Sequence, residues 1–406
     1  MDSAQARVAQ RLIELDEIEV TVEKLVAGGE GLARFERIPI FVPRSAPGDR
    51  LRVRMTERRT SYGRAEIVEI LQPGPGRREP PCPHFTECGG CDLQHLDEAT
   101  QLKEKVGAVR ENLLRIGHFE IPKDLVVVPG SPWGYRLRAQ LHIAPTPRGN
   151  RLGYFARRSH DLVAVDHCPI LVPELETRLA QFNRRIREES HRRIDVAVGD
   201  DGLTVAPTIP GLPRGEVSLG VGDFTYSFDA SSFFQGHRQL LGDLVSHSVG
   251  EKSGVEGDSE GHAFDLYAGV GLFSLPLARS YGKVLSIEGD RAAVRFGKRN
   301  ARQNKVGNVS FHAQAVETWV SQLPERPARV VVDPPRTGLS EAVRGALLEK
   351  RPRHLTYVSC NSATLARDLA QLSQVYRATR LVLLDLFPQT GHLEAIVQLV
   401  DRSGAT

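Results

Sequence analysis

AFDLYAGVGLFS, residues 263–274, is the stretch that decides the fold. An apolar run broken only by Asp265 gives way to Gly269 and Gly271, and then to a helical pattern. A buried strand, a tight glycine turn and a helix in that order open a βαβ unit. Outward from it the alternation repeats: KVLSIE, NVSFH, ARVVVD and RHLTYVSC are apolar runs separated by helical segments. From about residue 235 the chain therefore predicts a mostly parallel, doubly wound α/β sheet. RATRLVLLDLFP and LEAIVQLV are expected to pair antiparallel at its edge.

Upstream the period changes. Residues 18–72 alternate apolar and polar side chains between Gly and Pro turns, as in IEVTVEKL and RLRVRMTE. That pattern predicts a small antiparallel barrel of about five strands. PGPGRREPPCP, 73–83, reads as a Pro/Gly-rich linker. Leu102, Val106, Val109, Leu113 and Ile116 recur at helical spacing. Short strands such as YRLRAQLHIA and RLGYF dominate 124–230, interrupted by the helical LVPELETRLAQFNRRI. Residues 1–17 read as a short polar helix or loose leader, and GVEGDSEGH, 254–262, as a polar loop. The expected divisions are a leader at 1–17, a barrel at 18–75, a central α+β domain at 76–235 and an α/β domain at 236–406.

With 406 residues, 40% hydrophobic and 25% charged, the chain is long enough for several cores. No apolar run approaches the ~20 residues of a membrane span. MDSAQARVAQ lacks the apolar core of a secretory signal, so a cytoplasmic protein is expected. A net charge of +3 decides little. The arginine groups Arg58/Arg59, Arg77/Arg78, Arg136/Arg138, Arg157/Arg158, Arg184/Arg185 and Arg192/Arg193 are each ordinary surface, but as a set they lean toward a polyanionic partner.

The chemistry gathers at predicted strand ends. Gly269 and Gly271 let a ligand approach the backbone, and Glu288 ends the next strand, where an acid accepts ribose hydroxyls. The turn lacks a third glycine and a pyrophosphate cradle, which favours the smaller, cationic S-adenosylmethionine over NAD. RVVVDPPRTG, 329–338, delivers Asp333 to a strand end, where Pro334 and Pro335 stiffen the loop before Arg336. LTYVSCNSATLARD, 355–368, sets Cys360 between strand and helix, with Asn361, Ser362 and Thr364 as capping candidates. A thiol at a helix N-terminus is expected to have a depressed pKa, although such a cysteine by itself reads as a small buried residue. Glu394 opens the last strand, two residues after His392. A carboxylate sharing a pocket with Cys360 would set a base beside a nucleophile.

Cys82, Cys88 and Cys91 give C-x5-C-G-G-C, and Cys168 in VDHCPI is the natural fourth ligand. An odd total of five argues against a disulfide framework. Four thiolates suit structural zinc or a 4Fe–4S cluster; three close cysteines plus one distant one favour the cubane.

DLYAGVGLF, DPPRTG, YVSCNSATLARD and DLFPQTGHLE, in that order and preceded by SSFFQ ending at Gln235, resemble the RNA 5-methyluridine methyltransferase family. Residues 18–72 resemble its TRAM RNA-binding module, and the cysteine loop resembles the iron–sulfur motif of the bacterial large-subunit rRNA branch. The resemblance implies a Rossmann-like class I methyltransferase domain behind an OB-like barrel. It implies that Cys360 attacks C6 of uracil, that C5 takes the methyl group from S-adenosylmethionine, and that Glu394 removes the C5 proton. Asp333 and Gln235 would lie around cofactor and uracil; Tyr267, Gly269, Gly271 and Glu288 around the cofactor. Cys82, Cys88, Cys91 and Cys168 would hold a 4Fe–4S cluster. Departures from the pattern are Ala268 where a Cys is common, His237 in place of Asn, Ser362 in place of Pro, and Ala315 at an expected cofactor contact.

The implied substrate is 23S rRNA, with tRNA as the alternative. Two readings from other classes compete: a non-catalytic iron–sulfur RNA-binding factor and an iron–sulfur oxidoreductase with a nucleotide cofactor. Neither has a use for Cys360 together with Glu394. RNA is the expected partner, with no membrane and no obligatory protein partner.

Overall fold

The computed structural model describes residues 15–147, 149–250 and 261–404, so most of the expected leader and of the 254–262 loop lies outside the described residues, and Glu17 of the leader belongs to the first strand. The chain forms two compact units. The first holds the described residues up to Arg110 together with Ala156–Ser159 and Phe387–His392; the second holds the rest.

In the first unit, strands β1 (Glu17–Leu25), β2 (Gly31–Phe35), β3 (Ile38–Val42), β4 (Arg50–Arg58) and β5 (Gly63–Gln72) close a barrel in the order β1-β2-β3-β5-β4. The two-residue period of the sequence is the cause. Ile18, Val20 and Val22 point inward with Ile38, Ile40, Leu51, Val53 and Met55, while the intervening polar residues face water. The Pro/Gly-rich stretch after β5 is anchored rather than loose. Fully buried Asp49 accepts hydrogen bonds from the backbone of Ala46 (2.6 Å) and Gly74 (2.7 Å) and from Arg77 (2.5 Å). The loop carrying Gln389 is held in this unit as well: its carbonyl accepts from the backbone N–H groups of Asp92 and Leu93, and its side chain from Gln101.

The second unit carries β6 (Leu125–Val128) and a five-stranded antiparallel sheet of β7 (Arg138–Thr146), β8 (Gly149–Phe155), β9 (Leu162–Ala164), β10 (Arg193–Gly199) and β11 (Gly202–Ala206), ordered β11-β10-β7-β8-β9. A hairpin, β12 (Val217–Val221) and β13 (Phe224–Phe228), follows. Then come β14 (His262–Leu266), β15 (Lys283–Glu288), β16 (Val309–Ala313), β17 (Arg329–Val332), β18 (His354–Ser359), β19 (Tyr376–Leu384) and β20 (Glu394–Asp401). They make an eight-stranded sheet, β16-β15-β14-β17-β18-β20-β19-β6.

Strands β14 to β18 run parallel, and β20 pairs antiparallel with both β18 and β19, as the sequence predicts. The addition of β6 beside β19 is not foreseen. The strand order reverses between β14 and β17, the switch point where open α/β sheets bind ligands beyond their carboxyl ends. Helices such as Arg291–Gln303, whose Ala293, Val294, Phe296 and Ala301 are buried, cover the sheet. Among the described residues no helix is long and apolar enough to cross a membrane.

Candidate active site at the carboxyl edge of the sheet

After β14 the backbone turns sharply. Tyr267 (φ 66°), Gly269 (φ 53°) and Gly271 (φ 93°) all sit in the left-handed region. The two glycines do different jobs. A side chain at 271 would strike the Phe311 ring at 2.8 Å, so this glycine lets the turn pack. A side chain at 269 would meet nothing within 4 Å, so this one faces open space. The Gly269 N–H donates to Glu288 Oε2 (2.9 Å), and the Asp290 N–H donates to Oε1 (2.7 Å). These bonds orient the Glu288 carboxylate at the end of β15 and leave lone pairs for ribose hydroxyls. Tyr267 donates its hydroxyl to Glu317 (2.8 Å). An oriented acid beside an open glycine turn fits S-adenosylmethionine.

Beneath this turn lies Asp265, fully buried. It accepts from Ser274 (2.5 Å), which accepts in turn from Ser286 (2.8 Å). Its other oxygen has no hydrogen-bond partner among the described residues. Burial, with Asp333 and Glu288 adding negative charge, pushes its carboxyl up to about 7. Asp333, at the end of β17, accepts from the Gln235 amide (3.2 Å). Burial pushes it to about 7 as well, and the Gln235 bond pulls the other way.

Two strands meet at the next position. In the β18–β20 ladder Ser359 faces Ala395, and continuing that antiparallel register by one residue sets Cys360 across from Glu394. Glu394 is only 2% exposed, and burial followed by the charge of Asp333 holds its carboxyl well above the usual carboxylate range. Cys360 is half-buried. Burial pushes its thiol up to about 11; Glu394 and Asp333 push the same way, while Arg336, within hydrogen-bonding reach of the sulfur, pulls it down.

The expected depression of the thiol by a helix N-terminus is thus overturned. The helix Ser362–Leu372 is capped by Asn361, whose side chain takes the N–H groups of Ala363 (3.1 Å) and Thr364 (3.4 Å). Cys360 lies one residue outside the cap, so the helix end aims at Asn361 and not at the sulfur.

Arg336 stands out in sequence only as the residue after two prolines, yet its loop is fixed from several sides. Its carbonyl accepts from Asn361 (3.0 Å) and Thr364 (3.2 Å). Buried Asp368 accepts from the Leu339 N–H (2.8 Å), the Tyr357 hydroxyl (2.7 Å) and Arg344 (3.1 Å). The departures from the family pattern find local partners. His237 caps the turn Arg238–Leu240 and stacks on Tyr135 with ring centroids 4.7 Å apart, and Ser362 accepts from Asn112 (2.9 Å).

Cys82, Cys88 and Cys91 belong to the first unit and Cys168 to the second. Cys88 Sγ accepts from the Gly90 N–H at 3.3 Å. Among the described residues no three His, Cys, Asp or Glu side chains are grouped as metal ligands, while four thiols have the right chemistry for such a centre. Several of the arginine groups are engaged with acids: Arg58 with Asp16, Arg59 with Glu57, Arg77 with Asp49, Arg78 with Glu98, Arg157 with Asp92 and Arg158 with Glu30.

Comparison with known proteins gives the following. The tRNA (Uracil-5-)-methyltransferase family matches residues 215–402, and the TRAM domain family matches residues 14–68. The 23S rRNA (uracil(1939)-C(5))-methyltransferase RlmD of Pectobacterium atrosepticum is 32% identical, with 95% of this chain and 94% of that protein covered. The protein of the same name from Alkalilimnicola ehrlichii is 30% identical, with 95% and 97% covered. Among solved structures, Pyrococcus abyssi tRNA (uracil-54, C5)-methyltransferase in complex with S-adenosyl-L-homocysteine has a TM-score of 0.72 and 25% identity, covering 94% of this chain and 100% of that one.

Proposed function

The chain belongs to the RNA uracil-C5 methyltransferases, and from that premise we propose that it methylates C5 of a uridine in 23S rRNA through a covalent bond between Cys360 and C6. What supports the mechanism is the neighbourhood of Cys360, Glu394 and Asp333, in which Asp333 acts on Glu394 and both act on the thiol.

C5 of uracil is a poor nucleophile until C6 is saturated. Cys360 bonds to C6, and the C5=C6 electrons pass into an enolate that makes C5 nucleophilic. S-adenosylmethionine supplies an electrophilic methyl group on a positively charged sulfur. Gly269, Gly271, Tyr267, Glu288, Asp333 and Gln235 are the residues that would hold it and the uracil. Once C5 carries the methyl, Glu394 takes the C5 proton, the C5=C6 bond re-forms and Cys360 leaves with its electron pair.

A thiol near 11 is ionised only about once in ten thousand at pH 7. The nucleophile is therefore made in place. Arg336 stabilises the thiolate, and Asp333, whose carboxyl is lifted to about 7, is the proton acceptor at hand, which leaves the Glu394 carboxylate to take the C5 proton. Mass-spectrometric mapping of methyl groups in rRNA and tRNA after reaction with the purified protein tests the substrate. A methyl at C5 of a 23S uridine supports it, and methylation confined to tRNA rejects it.

Two finer points belong to the same reading. The spacing of Cys82, Cys88, Cys91 and Cys168 supports a 4Fe–4S cluster with a structural or RNA-positioning role. Iron and acid-labile sulfide at cluster stoichiometry in protein purified without oxygen bear this out; a folded chain holding zinc alone rejects it. Work on rRNA implies a cytoplasmic location.

A further inference from the structure

The pocket accepts one base, but the sheet β11-β10-β7-β8-β9 exposes a second aromatic feature. On its open face the His142 and Phe155 rings stack with centroids 3.7 Å apart and planes 21° from parallel, both partly exposed. His160 meets Phe155 edge-on at 5.3 Å. Directly across the ladder from His142 stand Arg193 on one side and Gly153 on the other. The Arg193 side chain is 54% exposed, and its ion pair with Asp195 is loose at 3.4 Å. A core would not leave a ring stack with an exposed guanidinium beside it, whereas such a pair suits a base and its phosphate.

Strand β7 leads from this face toward the turn that carries Gln235. Four residues along β7 from His142, about 13 Å away, Arg138 donates to the carbonyls of Ala230 (3.0 Å) and Ser232. That turn carries Phe233, 65% exposed, and then Gln235, which bonds Asp333. Strand β7 thus joins the ring stack to the loop that lines the uracil site.

We propose that His142, Phe155 and His160, with Arg193, form a stacking platform for an unpaired nucleotide of the RNA flanking the target uridine. The inference rests on the RNA-methylating function proposed above. Base–aromatic stacking is sequence-tolerant and is strong enough to change affinity about tenfold per base, so the platform grips the strand while the pocket selects the uridine.

Steady-state methyl transfer to transcribed 23S rRNA, together with binding of a short fluorescent oligouridylate, tests it. Phe155→Ala and Phe155→Leu are expected to raise KM and the oligouridylate Kd about tenfold with kcat within about twofold, while Phe155→Trp stays near wild type. The leucine variant keeps apolar bulk without a ring, so a merely structural Phe155 would tolerate it. Arg193→Ala is expected to lower the slope of log K against log salt by about 0.7. Wild-type KM and Kd in Phe155→Leu, or a loss that Phe155→Trp shares, overturns the platform. Absence of methyl transfer by the wild-type protein to any RNA defeats the functional reading instead, and the oligouridylate arm still decides the platform.

Discussion

The barrel wall and the carboxyl edge of the large sheet treat charge in opposite ways. On the barrel, Arg50 faces Glu19 (2.8 Å), Arg52 faces Glu69 (2.7 Å) and Arg54 faces Glu17 (2.8 Å), each pair solvated above an apolar interior. At the sheet edge Asp265, Asp333 and Glu394 are buried, which raises all three carboxyls, and the charge of Asp333 lifts the other two further. The first arrangement keeps every charge comfortable and contributes little energy per pair. The second holds like charges out of water, a strain that pays in reactivity. The difference teaches where folding ends and chemistry begins: acids paired with arginines hold a wall, and acids set against acids and a thiol hold a reaction.

Breaking the reactive side has the largest expected effect. Cys360→Ala is expected to lower methyl transfer by about 10⁴-fold or more while S-adenosylmethionine binding survives, checked by single-turnover transfer and calorimetry. Glu394→Gln is expected to slow turnover by about 10³-fold yet stabilise the fold. Its folded pKa lies above the unfolded value, so ionisation disfavours the native state. The cost is absent below the unfolded pKa and grows as pH rises through the folded one. The gain in melting temperature of Glu394→Gln is therefore expected to be larger at about pH 8 than at about pH 5.

On the barrel side, Asp49→Ala strands Arg77 and two buried N–H groups and is expected to destabilise by about 3 kcal/mol in denaturant titration, with S-adenosylmethionine affinity unchanged. Smallest of all, Glu19→Ala on the solvated ladder is expected to shift stability by no more than about 0.5 kcal/mol. An effect at Glu19 as large as that at Asp49 would erase the contrast between solvated and buried charge.

What was legible in the sequence follows the same line. The alternating residues of β1 and β4 and the apolar runs of β14, β15, β17 and β18 state their structures locally, because period and burial are properties of neighbours in the chain. Cys360, Glu394, Asp333 and Glu288 were legible as strand-end residues once the sheet was placed. The ionisation of Cys360 was not, since it depends on Glu394, Asp333 and Arg336 arriving from other strands, and on a cap shifted by one residue. The pairing of β6 with β19 was equally hidden, because Leu125–Val128 shows only four weakly patterned residues and its partner lies far along the chain. The linker at 73–83 is legible from its prolines and glycines, but the buried carboxylate of Asp49 that ties it down is not.

The central claim is that one sulfur bonds reversibly to the pyrimidine beside a carboxylate that collects its proton. Replacing uridine by 5-fluorouridine in transcribed 23S rRNA removes the proton that Glu394 must take, so the adduct should persist. Peptide mass spectrometry of the trapped complex is predicted to find the nucleotide on Cys360, with the adduct lost in Cys360→Ala. An adduct on another cysteine, or one that survives that substitution, would contradict it.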